Sequence, residues 1–518
     1  MRKSLCLAGA MMLIMLGLGV RAAAQSHDEE KKQPEAKAAP AEDLNPAKEE
    51  SSVTDHTIRL GGQAIPYIAT AGTILLKNDK GEPTGLMYSV AYTRSDVKDA
   101  TQRPISFLYN GGPGSATLWL HMGAFGPRRV WTVDAQFTHP APYKLVDNME
   151  SLLDKTDLVF IDAMGTGYSH AVGKAQNKDF YGIDEDVQAF GQFINTYVNR
   201  NGRWNSPKFL IGESYGTFRS AALGNYLQNH YSMQLNGIVL ISSVLDLSTL
   251  TFGPGDDRCY MFYLPSYAAV AWYHKVLKNR PTDMAAFIEE ARQYALGEYA
   301  SALSKGSRLS PDEKAAVAKK LSYFTGLSED YLMKADLRVN LAQFNVELQR
   351  SRGLTTGRID ARFSGYTPDL LAEFAQDDPE GPAVGGAFTA LLNSYTHDEL
   401  NFGKDKTYHN FSDGRDWNWK RQGPGGDFPG APNVEPDLFG AMISNPHLLI
   451  QVENGYFDMA TPFFATEFTM EHLGLPKELQ SHITEDYYDA GHMMYLHDDS
   501  RSHLHNNIAG FIDRATKQ

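Results

Sequence analysis

Gly212-Glu213-Ser214-Tyr215-Gly216 sets one serine between two glycines, the pattern of a tight strand-to-helix turn that lifts a hydroxyl clear of a sheet. Bulkier side chains at the two glycine positions would collide in such a turn. The flanks fit this reading. Phe209, Leu210 and Ile211 form a short apolar run before it, and Phe218, Ala221, Ala222, Leu223 and Leu227 recur at helical spacing behind it. A serine hydroxyl becomes a nucleophile only when a base takes its proton, and the base needs a partner that fixes its tautomer. Two later loops supply those residue types in the workable chain order of nucleophile, acid, base. The apolar run 448–452 leads into Glu453-Asn-Gly-Tyr-Phe-Asp458, and the run 481–488 leads into Asp489-Ala-Gly-His492. His472 and His497 are competing bases, but they stand on helix-like segments. An oxyanion needs two N–H donors. Tyr215, next after the serine, supplies one, and Asn110-Gly-Gly-Pro-Gly114, directly after the apolar run 105–109, is placed to supply the other.

These loops need a sheet to carry them. Four β-rich runs (57–60, 64–68, 73–76 and 85–92), separated by Gly-Gly and Asn-Asp-Lys-Gly turn signals, predict an antiparallel leading edge. Short apolar strands at 105–109, 158–161, 209–211, 238–241 and 448–452 then alternate with helical stretches, which predicts a mostly parallel α/β sheet. The strand pattern lapses over 253–436, where helical stretches fall at 284–303, 311–321 and 328–349. That span is expected to be a largely helical cap inserted over the catalytic face, dividing the core into 55–252 and 437–518. Trp417 and Trp419 lie in its Gly- and Pro-rich part; packing within the cap is favoured for them over lining a side-chain pocket.

The chain has 518 residues and a formal charge of −14. Arg2 and Lys3, an apolar run to about Val20 and Ala22-Ala23-Ala24 have the form of a secretory signal peptide covering 1–24. Residues 25–54, rich in Glu, Lys, Ala, Pro and Ser, are expected to be a disordered linker. Loss of Arg2, Lys3 and Arg21 takes the charge to −17, a surface that disfavours nucleic acid. Cys259 is then the one remaining cysteine, so no intrachain disulfide forms, and inert burial is expected for it. The protein is expected to be exported, periplasmic or secreted, with no stable membrane span after signal cleavage.

Taken together, Phe107-Leu-Tyr-Asn-Gly-Gly-Pro-Gly114, Phe125-Gly-Pro127, Gly165-Thr-Gly-Tyr-Ser169, Gly212-Glu-Ser-Tyr-Gly216, Glu453-Asn-Gly-Tyr-Phe-Asp458 and Asp489-Ala-Gly-His492 resemble the serine carboxypeptidase family, peptidase family S10, in a bacterial, secreted form. The resemblance implies an α/β-hydrolase fold, peptide substrates, no cofactor and no metal. It implies Ser214 as nucleophile, His492 as base, Asp458 as its partner, and Gly112 and Tyr215 N–H groups as the oxyanion hole. It also implies that Asn110, Glu213 and the N–H of Gly111 hold the free α-carboxylate of a peptide, which a glutamate does only when protonated. Two departures stand out. Ala124 occupies the place of the family's second glutamate, so Glu213 is expected to lack its acidic neighbour, and Ala163 and Met164 stand where the family has a proline. An acyltransferase or esterase using the same triad is the alternative, and a non-catalytic binding protein of the same fold a further one.

Overall fold

The computed structural model describes residues 47–414, 416–421 and 430–517. The expected signal peptide and most of the expected linker lie outside these residues. Three antiparallel strands open the described chain: β1 (Ser51–Leu60), β2 (Gln63–Lys77) and β3 (Pro83–Arg94). The linker expected to run to residue 54 therefore gives way to strand at Ser51. Residues 51–57 have no apolar face for composition to register. They are ordered by the ladder to β2 from Ser51 onward and, just before it, by the Glu49–Arg200 ion pair of 2.7 Å.

Six parallel strands follow: β4 (Ile105–Tyr109), β5 (Asp157–Ile161), β6 (Lys208–Glu213), β7 (Gly237–Ile241), β8 (Leu449–Gly455) and β9 (Ile483–Tyr488). Their order across the sheet is β1-β2-β3-β5-β4-β6-β7-β8-β9, with the short strand His170–Ala171 on β3. Side chains alternate between the two faces as the pleat requires. Phe209 and Ile211 join a core that includes α-helical Leu504, Ile508 and Phe511, whereas Leu210 joins the opposite core with Phe190 and Phe218. The helices of that second face include α1 (Ile183–Arg200), opened by three acids that suit the positive end of its dipole, and α2 (Tyr215–Tyr231).

Strands β7 and β8 are adjacent and parallel, yet more than 200 residues separate them in sequence. The intervening chain holds α3 (Arg258–Tyr273), α4 (Met284–Tyr294), α5 (Pro311–Thr325), α6 (Glu329–Lys334), α7 (Leu341–Glu347), α8 (Glu380–Ser394) and α9 (Glu435–Ser444). Ser310 caps α5 reciprocally with Glu313 ahead of Pro311. The single helical stretch expected over 328–349 is broken into α6 and α7, because Asp336 and Leu337 take positive φ values of 51° and 65°. A hairpin, Leu354–Thr356 paired with Ser364–Tyr366, also lies where no strand was expected. Three-residue strands are too short to show alternation. After β8 come α10 (Phe463–Glu471), β9 and α11 (Asp498–Thr516), which carries the apolar stripe against the first face. Among the described residues no helix is long and apolar enough to cross a membrane.

Candidate active site

Ser214 stands between the end of β6 and the first residue of α2 with φ 60° and ψ −130°, a conformation that a non-glycine residue adopts only under constraint. The constraint is visible around it. Ser214 N–H donates to the Ile241 carbonyl at the end of β7 (3.0 Å), and the Thr217 hydroxyl donates to the Ser214 carbonyl (2.7 Å). A Cβ on Gly212 would run into the carbonyl of Gly216, so the glycines on both sides of the serine answer to backbone contact.

The loop after β4 folds over this turn. A Cβ on Gly111 would collide with the N–H groups of Tyr215 and Gly216, which is how near the two segments come. Asn110 locks the loop from three atoms. Its Oδ1 accepts Leu120 N–H (3.0 Å), its Nδ2 donates to Glu213 Oε1 (2.9 Å), and its carbonyl accepts Arg219 Nη1 (2.8 Å). Arg219, wholly buried on α2, is neutralised by Asp186 of α1 at 2.7 Å. The N–H groups of Gly112 and Tyr215 are taken by no carbonyl among the described residues, and a helix's first N–H has no intrahelical acceptor in any case.

Asp458 and His492 are brought together from loops after β8 and β9. His492 Nδ1 lies 2.7 Å from Asp458 Oδ2, and the carboxylate is fully buried. Its remaining lone pairs are filled: Oδ1 accepts Ala460 and Thr461 N–H (2.8 and 2.9 Å) and Oδ2 the Thr461 hydroxyl (2.8 Å). The His492 carbonyl accepts the Ser242 hydroxyl (2.8 Å). Burial alone would lower the imidazole pKa. The charge and hydrogen bond of Asp458, with the charge of Glu213, outweigh it and hold His492 above its ordinary value. With Asp458 on Nδ1, Nε2 is the ring nitrogen left for another partner.

The unforeseen hairpin supplies the support for both loops. Its turn, 357–363, runs between them. Ile359 C=O accepts His492 N–H (2.9 Å), Arg358 C=O accepts Met459 N–H (3.1 Å), and Ala361 N–H donates to Phe457 C=O (3.0 Å). Asp360, buried, accepts Gly491 N–H (3.2 Å) and pairs with Arg362 (2.6 Å), which also donates to Asp489 C=O (3.1 Å). Only the charged pattern Arg358, Asp360, Arg362 was available in the sequence as a signal, and charge alone does not distinguish it from surface.

Glu213 is buried, and burial pushes its carboxyl up to about 7. Ala124 lies buried in the turn Leu120–Phe125. Gly123 beside it faces Tyr495 and Phe388 of α8. Glu213 nevertheless has titratable neighbours that no motif marks. The Tyr495 hydroxyl acts on it, and Glu380, at the start of α8 with 1% exposure, interacts with both. Glu213 Oε2, Tyr495 OH and both Glu380 oxygens have no hydrogen-bond partner among the described residues. Burial, with the Asp360 and Asp378 charges added, holds Glu380 well above the usual carboxylate range.

A model of the serine carboxypeptidase family matches residues 76–335, about half of the chain. The chain belongs to the serine carboxypeptidase family. Among curated relatives, the pheromone-processing carboxypeptidase KEX1 of Saccharomyces cerevisiae is 29% identical over 197 residues, covering 36% of this chain and 25% of that protein. The match thus spans a quarter of the relative's length. The crystal structure of KEX1(delta)p, a prohormone-processing carboxypeptidase from the same yeast, aligns with a TM-score of 0.52 at 17% identity, covering 87% of this chain and 91% of that one. At that identity the likeness speaks for the fold, an α/β hydrolase with a mostly parallel central sheet.

In this carboxypeptidase-family chain Trp417 and Trp419 pack on the ring of Tyr215, with centroids 5.6 and 6.2 Å away. Cys259 is buried and free, its thiol 3.1 Å from the Thr251 carbonyl and pushed up to about 12 by burial. A thiol so poorly ionised is a weak nucleophile.

Proposed function

We propose that this chain is a serine-type carboxypeptidase acting through an acyl-enzyme on Ser214. The reading is supported by the 2.7 Å Asp458–His492 contact, together with the strained Ser214 turn and the close approach of the Gly111 loop to it. Ser214 Oγ attacks the last peptide carbonyl while His492 Nε2 takes its proton. The carbonyl oxygen becomes an oxyanion facing the N–H groups of Gly112 and Tyr215. His492 returns the proton to the departing amine, the C–N bond breaks, and the released residue leaves an ester on Ser214. Water, deprotonated by His492, then hydrolyses that ester. Asn110, Gly111 N–H and a protonated Glu213 hold the substrate's α-carboxylate, which confines cleavage to the last bond. The pattern of residues 2–24 supports placing this reaction outside the cytoplasm, in the periplasm or medium.

Release of the final residue from a short peptide, compared with its C-terminal amide, tests the reading, with Ser214→Ala as control. The free acid should turn over and the amide should not. Equal rates on both would point instead to an esterase or acyltransferase using the same triad, and no labelling of Ser214 by a fluorophosphonate would remove every enzymatic reading.

A further inference from the structure

Arg358 is exposed, yet its backbone is fixed from several sides. Its N–H donates to Asp378 Oδ2 (2.8 Å), its carbonyl accepts the N–H of Met459, next to Asp458, and the following carbonyl accepts the N–H of His492. The residue is therefore tied to the neighbourhoods of both the acid and the base. Its guanidinium has no hydrogen bond or ion pair among the described residues, whereas nearby Arg362 is committed to Asp360 and Asp134 (2.6 and 3.0 Å) and Arg219 to Asp186. The Arg358 charge lowers the pKa of both His492 and Tyr263 of α3, so it lies within electrostatic reach of the base. An ordinary surface arginine is free to swing away on a mobile backbone; this one is held at the catalytic edge of a chain whose net charge is −14.

We propose that Arg358 binds an acidic side chain at the last or penultimate residue of the peptide and so directs the enzyme toward acidic C-termini. The inference rests on the peptide-substrate reading above. There the α-carboxylate is taken by Asn110, Gly111 and Glu213, so the anion left for Arg358 is a side chain. A planar guanidinium with five donors engages a carboxylate bidentately, which a lysine does not reproduce.

The test uses the full chain carrying Ser214→Ala and fluorescent peptides ending in Leu-Glu, Leu-Gln, Glu-Leu or Gln-Leu, at about pH 6, where the glutamate side chain is ionised. The glutamate peptide of at least one pair should bind about tenfold tighter than its glutamine partner, the yield of one charge-assisted hydrogen bond. That preference should vanish in Arg358→Met, reverse in Arg358→Glu, persist in part in Arg358→Lys and shrink in high salt. Equal binding within both pairs, or a preference that survives Arg358→Met, overturns the proposal. Fluorophosphonate labelling of the Arg358 variants in the otherwise unaltered chain confirms that their sites are folded. Cleavage by the unaltered enzyme separates the two readings. Release without a glutamate preference keeps the reaction and removes the anion site, whereas Arg358-dependent binding without release keeps the anion site and removes the carboxypeptidase.

Discussion

At the scale of single residues, protonation decides what the site can hold. Glu213 can donate to a substrate carboxylate only while it keeps its proton, and burial keeps that proton up to about pH 7. KM for peptides with a free C-terminus should therefore be flat below pH 7 and rise above it, approaching about tenfold per pH unit. Glu213→Gln, a permanent neutral donor, should flatten that rise; a KM that climbs equally in both forms would assign the effect to another group. Asp458 offers a sharper test. An asparagine in its place would keep a carbonyl for the N–H groups of Ala460 and Thr461, but its amide would donate to His492 Nδ1 and leave the proton on Nε2, facing the nucleophile. Asp458→Asn should cut kcat by about 10⁴ with little change in KM, as wrong-tautomer variants of such triads do. Steady-state kinetics on one peptide would check it. The positions of these residues at or just after strand ends were legible in sequence because apolar runs mark the strands and the motifs follow them. Glu380 and Tyr495 were not, since a buried glutamate and tyrosine far apart in the chain have no local pattern to mark them.

Among the elements, the parallel strands could be read from apolar runs and the loops between them from glycine, while the hairpin at 354–366 could not. Its strands are three residues each, and the bonds that join its turn to the triad loops are mostly between backbone atoms, to which a sequence gives no letter. Ala124 shows the same limit from the other side. The family resemblance marked it as the place of a missing acid, but the packing of α8 and Tyr495 around that turn is a matter of tertiary geometry. The hairpin's function can be tested at Asp360. Removing its charge leaves Arg362 buried with only the partly exposed Asp134 as ionic partner, a change of the kind that destabilises by about 3 kcal/mol. Asp360→Asn should lose that much in urea unfolding and lower kcat more than KM, because the loop carrying Gly491 and His492 loses the charged acceptor that holds Gly491 N–H. Adding Arg362→Met should recover stability without recovering kcat. If both recover together, the ion pair is structural alone and does not position the base.

Across the whole molecule, several carboxyls are buried in the folded state and hold protons that the unfolded chain would lose. Burial raises Glu453, on strand β8, to about 8 and Glu485 and Glu213 to about 7 from an ordinary 4.5. Their folded pKa values lie above the unfolded ones, so the native state binds more protons and stability falls as pH rises. Below about 6.5 the trend is opposed by His121, which burial drives down to about 3 and which must stay neutral in the core. Above about pH 8 it is opposed by Lys208, whose pKa burial lowers to about 8. Between pH 6.5 and 8 the carboxyls act without those two, and Glu453, fully buried, alone removes up to about 1.4 kcal/mol per pH unit. Thermal unfolding should therefore show Tm falling by several degrees across that window. Glu453→Gln, which still offers an acceptor to the Tyr488 hydroxyl 2.6 Å away, should make the fall shallower. A Tm that is level from pH 6.5 to 8 would mean that water or local opening reaches these carboxyls. The same window contains the loss of the Glu213 proton, so substrate carboxylate binding and fold stability should decline together as the medium turns from mildly acidic to alkaline.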